Sequence, residues 1–423
     1  MTTLIDAVIE KQPNLPQPEP GLTPDEIIRR AVALRPLLLE EQAQSEVRGS
    51  CSVEMHERFR KAGFYRILQP KMYGGYEFDL TVFARVIMEI GRGCPGTAWG
   101  LSLAAGHALN VAAIFPKEAQ DLIFGDGGEF YAPARAVPSG TATETADGWI
   151  VDGVWDYCSG SPHSNYALFG VRITGGDPSA PPEIGTAIVP RSQWELIDNW
   201  RGFIGLNASG SNSLRVDKAL VPKVFVVRQN LFDLNIRGGT IGYHLHGNPM
   251  YSGRMFGFFQ TEISSILVGA GFAALDEFER ILTSKISGPG APMIVSAGVQ
   301  DLTRPFGIAL GLLEAARNAV LAGAQSYLDY CAAGINDPSA YTALDDMRIQ
   351  AGMQHAAKFA GEAIDLLYTS VGTSAAAKDG TRLQRYFRDV SMARTNPGLA
   401  VERAAVMLAG RNIKERLTPA SAG

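Results

Sequence analysis

Cysteine is scarce in this sequence. The four residues (Cys51, Cys94, Cys158, Cys331) are scattered through 423 positions without a CxxC pair. That scatter argues against a disulfide framework or a cysteine-built zinc site, and for a reducing cytoplasmic setting. Excess positive charge is also missing: 38 Lys and Arg face 43 Asp and Glu, for a net charge of −5. With no Lys/Arg cluster, a phosphate-neutralising nucleic-acid surface is not expected. No run of about 18 apolar residues free of charge stands out, so no membrane partner is expected. Met1–Pro20 lacks the basic-then-apolar order of a secretory signal. Internal repeats and low-complexity runs are absent as well.

What is present is an ordinary globular composition, 46% hydrophobic and 19% charged. A chain of this length suggests two or three domains burying about 75% of the unfolded surface. After a Pro-bearing leader (1–22), Thr23-Pro-Asp-Glu26 reads as a helix start, with a cap, a first-turn proline and two acids at the positive end of the dipole. Apolar residues at helical spacing then predict helices across 23–127. The composition changes near Glu129. Between Phe130 and Pro222, Gly, Pro, Thr, Val and Trp predominate, and Asp147-Gly148 reads as a hairpin turn. A β domain is expected over 128–240. From 241 to 423 the pattern is helical again, Ala-rich and apolar on more than one face, as in a helix bundle.

Four segments in this order carry a more specific signal: Cys94-Pro-Gly-Thr-Ala-Trp99, Gly153-Val-Trp-Asp-Tyr-Cys-Ser-Gly160, Ser209-Gly-Ser211 followed by Val221-Pro222, and Leu383-Gln-Arg-Tyr-Phe-Arg-Asp-Val390. With them the chain resembles the acyl-CoA dehydrogenase superfamily from about residue 24 to 415. The resemblance implies an α+β fold with an N-terminal helical domain, a central β-barrel-like domain and a C-terminal four-helix bundle. It also implies a homotetramer with flavin near a subunit interface.

Within that superfamily the sequence departs from the dehydrogenases. Their carboxylate base commonly follows the Arg-Asp motif, but Asn396-Pro397 stands there, and neither residue is a base at neutral pH. At the second base location, near the start of the long helix, stand Met250, Tyr251 and Arg254, with Glu262 about two turns on. The dehydrogenase Arg-Phe-Gly that supports the FAD pyrophosphate is replaced by Gly288-Pro-Gly290, although Gln300 fits its distal Gln. The chain is therefore more similar to the flavin-dependent monooxygenases of this fold, the oxygenase components of two-component aromatic hydroxylases such as the 4-hydroxyphenylacetate and dibenzothiophene monooxygenases. That resemblance implies reduced flavin from a separate flavin reductase, FMN favoured and FAD possible, with O2 and a small aromatic as co-substrates. Oxygen would add at flavin C4a, and the hydroperoxide would oxygenate the ring.

The resemblance also assigns residues. Ser159 matches the strand position whose hydroxyl faces flavin N5, an ordinary strand-end serine being the other reading. His107, in Ala104-Ala-Gly-His-Ala108, matches a histidine aimed at the substrate, able to orient or deprotonate a phenol. It is otherwise a satisfied core histidine. Asn396 stands where many branch members have a second histidine; it either orients a substrate hydroxyl or merely caps a helix. Trp200, Ser209, Gly210 and Ser211 resemble the segment flanking the flavin ring, and Arg304 is a candidate for its phosphate. Trp99, Tyr157 and Tyr251 are pocket-wall candidates, with aromatic core as their other reading. His244-Leu-His246 has no third ligand at a fitting spacing, so no metal is expected. A dehydrogenase with FAD and an atypical base, and a flavin-free binding scaffold, are the alternatives.

Overall fold

A computed structural model describes residues 19–125, 128–176, 179–287, 291–376, 378 and 380–417. Most of the leader and Gly288-Pro-Gly290 lie outside these. Helices come first: α1 (Pro24–Arg48), α2 (Val53–Ala62), α3 (Leu80–Gly93), α4 (Pro95–Gly106), α5 (Ala108–Ile114) and α6 (Lys117–Phe124). The start read at Thr23 is there: its hydroxyl accepts the Glu26 N–H at 3.2 Å, and Gly49 closes α1 in the left-handed region.

Seven strands follow: β1 (Ala134–Glu144), β2 (Trp149–Cys158), β3 (Tyr166–Ile173), β4 (Ile184–Pro190), β5 (Glu195–Ile197), β6 (Asn212–Val221) and β7 (Val226–Val227). They form one sheet in the order β5-β6-β2-β1-β3-β4-β7. The β1–β2 pair is the hairpin expected around Asp147-Gly148, antiparallel from Thr141↔Asp152 to Glu144↔Trp149. β1 and β3 are the parallel pair. Trp155 is wholly buried where its ring stacks on Phe169, centroids 4.1 Å apart, and its N–H donates to Gly170 O.

The C-terminal helices are α7 (Ile241–His246), α8 (Met255–Ser287), α9 (Ala291–Asn336), α10 (Ala343–Ser370), α11 (Thr373–Ala376), α12 (Arg382–Ala393) and α13 (Val401–Leu417). α8 is the axle of the molecule, packed against α9, α10 and α12 and against α3 and α4. Phe258, Ile266, Val268, Ala270 and Ala274 along it are buried. Burial on all sides explains why its apolar residues follow no single stripe.

Two helices, Met255–Ile286 and Thr303–Asn336, are long and apolar enough to cross a membrane by length and composition. Isolated charges such as Glu262 break the uninterrupted run but not the average. The most apolar window of the first is 94% buried inside the fold, as a core helix is, whereas that of the second is only 22% buried. All four cysteines are free.

Candidate active site

The site starts at the end of β2. Tyr157 there has φ +62°, a left-handed conformation uncommon for a large side chain, and Gly160 follows at φ +82°. This backbone turns Ser159 inward. A Cβ on Gly160 would lie 2.6 Å from the Gly100 carbonyl oxygen, so only glycine lets α4 approach this corner. The approach matters because α4 carries Trp99. Its indole N–H donates to Ser159 Oγ at 3.1 Å, Ser159 Oγ lies 2.7 Å from Ser211 Oγ, and Ser211 Oγ lies 2.6 Å from Ser209 Oγ.

The result is a buried row of three hydroxyls anchored by one indole. The indole can only donate, so one Ser159 lone pair is taken. If the Ser159 proton points to Ser211, the second lone pair of Ser159 is left to accept an N–H from a ligand. Gly210 contributes backbone: its φ is +57° and its carbonyl accepts the Ser161 hydroxyl at 3.0 Å.

Beside the row lies an aromatic shelf. Trp200 is buried and stacks on Phe203 at 4.3 Å, and the Tyr157 ring meets Trp200 edge-on at 5.7 Å. Trp200 is fixed by its indole N–H to Leu206 O at 2.9 Å. Leu206, at φ +56°, gives its own N–H to Asp389 at 2.6 Å. Burial raises the Asp389 carboxyl to about 7, against the lowering effect of that N–H. Its neighbour Arg388 pairs with Glu46 at 2.5 Å and donates to Ile204 O. The Arg-Asp motif thus ties α12 to the loop beneath Trp200. Tyr157, 53% exposed, is the open edge of the shelf. A flat, partly open aromatic wall next to buried hydroxyls fits the edge of an isoalloxazine ring.

His107 sits at the junction of α4 and α5. Its Nδ1 lies 2.8 Å from Ala132 O. A carbonyl only accepts, so Nδ1 carries the proton and the neutral ring offers a lone pair at Nε2. Burial holds His107 down at about 4, the Ala132 bond opposing it, so the ring is neutral at pH 7. Nε2 faces Glu262 Oε1 at 3.7 Å. The ring is edge-on to Phe259 (6.3 Å), which meets Phe232 (6.0 Å), itself stacked on Phe256 (5.7 Å). Phe232 and Phe256 line a cleft of about 660 Å³, with Arg254, Tyr341 and Asp346 on its wall. The aromatic path from cleft to His107 is marked in the sequence only by the short run Phe256-Gly-Phe-Phe259.

The remaining candidates have other positions. Tyr251 is wholly buried and donates its hydroxyl to Leu68 O at 3.1 Å, so the structure places it in the core. Asn396 uses Oδ1 to accept the Gly398 N–H at 2.8 Å, capping the turn Pro397–Leu399. Arg304 is 64% exposed and pairs with Asp301 one turn away. His246 reaches Gln120 at 2.8 Å, and no group of three metal-ligating side chains occurs among the described residues.

The order of helices, curled sheet and helix bundle, with the serine row at their meeting point, defines the acyl-CoA dehydrogenase class of fold. The acyl-CoA dehydrogenase N-terminal domain matches residues 31–121, and its C-terminal domain matches 262–397. The chain is 28% identical over 385 residues to a pigment production hydroxylase of Rhodococcus sp. (strain ATCC 21145), covering 91% of this chain and 95% of that protein. It is 26% identical over 342 residues to the oxygenase component of p-hydroxyphenylacetate 3-hydroxylase from Acinetobacter baumannii, covering 79% and 76%. Among solved structures, the 3-HSA hydroxylase of Rhodococcus sp. RHA1 superposes with a TM-score of 0.81 at 24% identity, over 92% of this chain and 97% of that one. XiaF from Streptomyces sp., solved with FADH2, gives 0.78 at 22% identity over 95% and 97%. The two domain models together span more than half of the chain, which belongs to the acyl-CoA dehydrogenase superfamily.

Proposed function

We propose that this protein is the oxygenase component of a two-component system. It would take reduced flavin from a separate reductase and use O2 to hydroxylate a small aromatic. The observation that carries this reading is the row Trp99–Ser159–Ser211–Ser209 beside the Trp200 shelf. Ser159 would hold the ring N–H of the reduced flavin, Trp200 and Tyr157 would wall its edge, and the bound flavin would supply the oxygen-activating chemistry. The protein's own part is to keep water out and to bring the substrate to His107 along Phe232, Phe256 and Phe259. His107, neutral and accepting at Nε2, suits a substrate with a phenolic O–H or an aromatic N–H.

FMN is favoured over FAD because Gly288-Pro-Gly290 replaces the motif that supports the pyrophosphate in dehydrogenases. We further propose a homotetramer, in which the exposed apolar surface of Thr303–Asn336 meets other copies. Ile308 and Leu310, both exposed, lie on it.

The test is anaerobic titration with FMNH2 and with FADH2, then mixing with 18O2 and a panel of phenols and indole. Saturable binding of reduced flavin and one labelled oxygen in the product support the reading. Absence of binding supports the scaffold. Bleaching of bound oxidised FAD by an acyl-CoA supports the dehydrogenase.

A further inference from the structure

Glu262 is the most deeply buried carboxyl of this region. It is 0% exposed, and neither carboxyl oxygen has a hydrogen-bond partner. Leaving such a group unpaired inside a protein is unfavourable, and more so when it is charged. Its surroundings are specific. A Cβ on Gly106 would lie 2.1 Å from Glu262 Oε1, so the carboxyl occupies space that only glycine leaves open. The next residue, His107, turns Nε2 toward the same oxygen at 3.7 Å. Because Nδ1–H is committed to Ala132 O, two acceptors would face each other unless a proton lies between them.

We propose that Glu262 is a positioning residue for His107, the two sharing one proton, so that the carboxyl governs when Nε2 can take a proton from the substrate. The functional consequence rests on the hydroxylase reading; the shared proton does not. With the proton on the carboxyl, the O–H lies on the side of Nε2 and occupies its lone pair once the two atoms close from 3.7 Å to hydrogen-bonding distance. Once the pair has released that proton to solvent, Nε2 is free beside a carboxylate. A phenolic O–H bond then breaks, an Nε2–H bond forms, and the imidazolium is held by Glu262 while the phenolate remains on the ring to be hydroxylated. No electron moves in this step, and the net charge of the site is unchanged. An imidazolium this deep, without a carboxylate, would be left unpaired.

Few other charges bear on the pair. α4 and α5 carry no other ionisable side chain, and α8 carries none but Glu262 between Met255 and Leu275. The segment that supplies Ala132 carries Glu129, which is paired with Arg60 and Arg66. On the cleft side, Asp346 accepts the Phe256 and Gly257 N–H groups, Arg254 donates to Tyr341 O, and Asp233 is exposed. Burial raises the Glu262 carboxyl well above its usual range.

The test is nitrogen-15 NMR of histidine-labelled protein, without flavin or substrate, from about pH 5 to 10. His107→Gln assigns the His107 signal among the six histidines. In the wild type the Nε2 signal moves in a pH step that Glu262→Gln lacks and Glu262→Asp restores in part. Equal profiles in wild type and Glu262→Gln overturn the inference, and so does a wild-type signal that stays flat, which needs no Glu262 variant. In turnover with a phenol, Glu262→Gln lowers kcat about tenfold or more with the KM for reduced flavin unchanged, and removes the acidic limb of the pH profile. An NMR step in a protein that binds no reduced flavin refutes the hydroxylase and leaves the pair standing. A flat signal in an active hydroxylase refutes the pair alone.

Discussion

Trp99 gives its indole N–H to the Ser159 hydroxyl across 3.1 Å, joining the first helical segment to the end of β2 at the point where a flavin ring would rest. The bond holds the Ser159 oxygen in place. A lone serine at a strand end rotates freely, but one whose oxygen accepts from an indole and lies 2.7 Å from a second hydroxyl is held to one side-chain position.

Ser159→Ala removes the acceptor for a flavin N–H and leaves the Trp99 indole without its partner. Reduced flavin should still bind, but more of the oxygen consumed should leave as hydrogen peroxide and less as product. Loss of one such bond costs about 1–3 kcal/mol, on the order of a 5- to 150-fold change in the partition between product and peroxide. Trp99→Phe should move coupling the same way by less. The check is the ratio of product to reduced flavin oxidised; an unchanged ratio in Ser159→Ala removes the role.

Buried histidines should make the fold acid-sensitive. His107 is held near 4 and His56 near 3, both chiefly by burial. Their folded values lie below the unfolded value, so the unfolded chain binds more protons in the window between. Stability is then fully present above about pH 6.5 and is lost as pH falls toward 4. A shift of this size at His107 corresponds to about 3 kcal/mol. His107→Gln should lose less stability between pH 7 and 4 than the wild type, as read from urea midpoints at each pH. Parallel curves would show that His107 titrates freely in the fold.

The elements were largely legible from the sequence, because caps and composition are local signals. Thr23-Pro-Asp-Glu26 starts a helix through its own side chains, and Asp147-Gly148 turns a hairpin by its own backbone preference. The segments that carry the three serines stand out in the sequence, as their motifs are short and ordered. Their hydrogen-bonded row was not, because Ser159 and Ser211 are 52 residues apart and meet only when β2 pairs with β6. Glu262 shows the same limit. In the sequence it is one acid on an apolar helix; its meaning depends on Gly106 and His107, which α4 brings to it from more than 150 residues away. Asn396 illustrates the opposite case, in which the contact is local: Asn-Pro-Gly caps its own turn.

Asp389 should behave as a stability switch of the other sign. Its carboxyl is raised to about 7 by burial, so the folded chain holds a proton that the unfolded chain releases near 4. Stability from this group is therefore full below about pH 4 and declines as pH rises through 7. Asp389→Asn keeps an oxygen to accept the Leu206 N–H and has nothing to titrate. It should be about as stable as the wild type at pH 4 and more stable at pH 8, by up to about 4 kcal/mol. Thermal melts at the two pH values decide it, and a variant less stable at pH 8 would show that the ionised carboxylate is needed for the loop.

Tyr157 combines strain with exposure, a pairing more useful to a ligand than to the fold. A non-glycine residue at φ +62° costs on the order of 1 kcal/mol, and a half-exposed ring regains little of it by burial. Tyr157→Gly removes the strain and also the open edge of the Trp200 shelf. Its unfolding midpoint should stay level or rise, while its Kd for reduced flavin rises several-fold. Both are measurable on one preparation, by calorimetry and by anaerobic titration. A drop in stability with flavin affinity unchanged would mean that the ring packs for the fold's sake and that the shelf ends at Trp200.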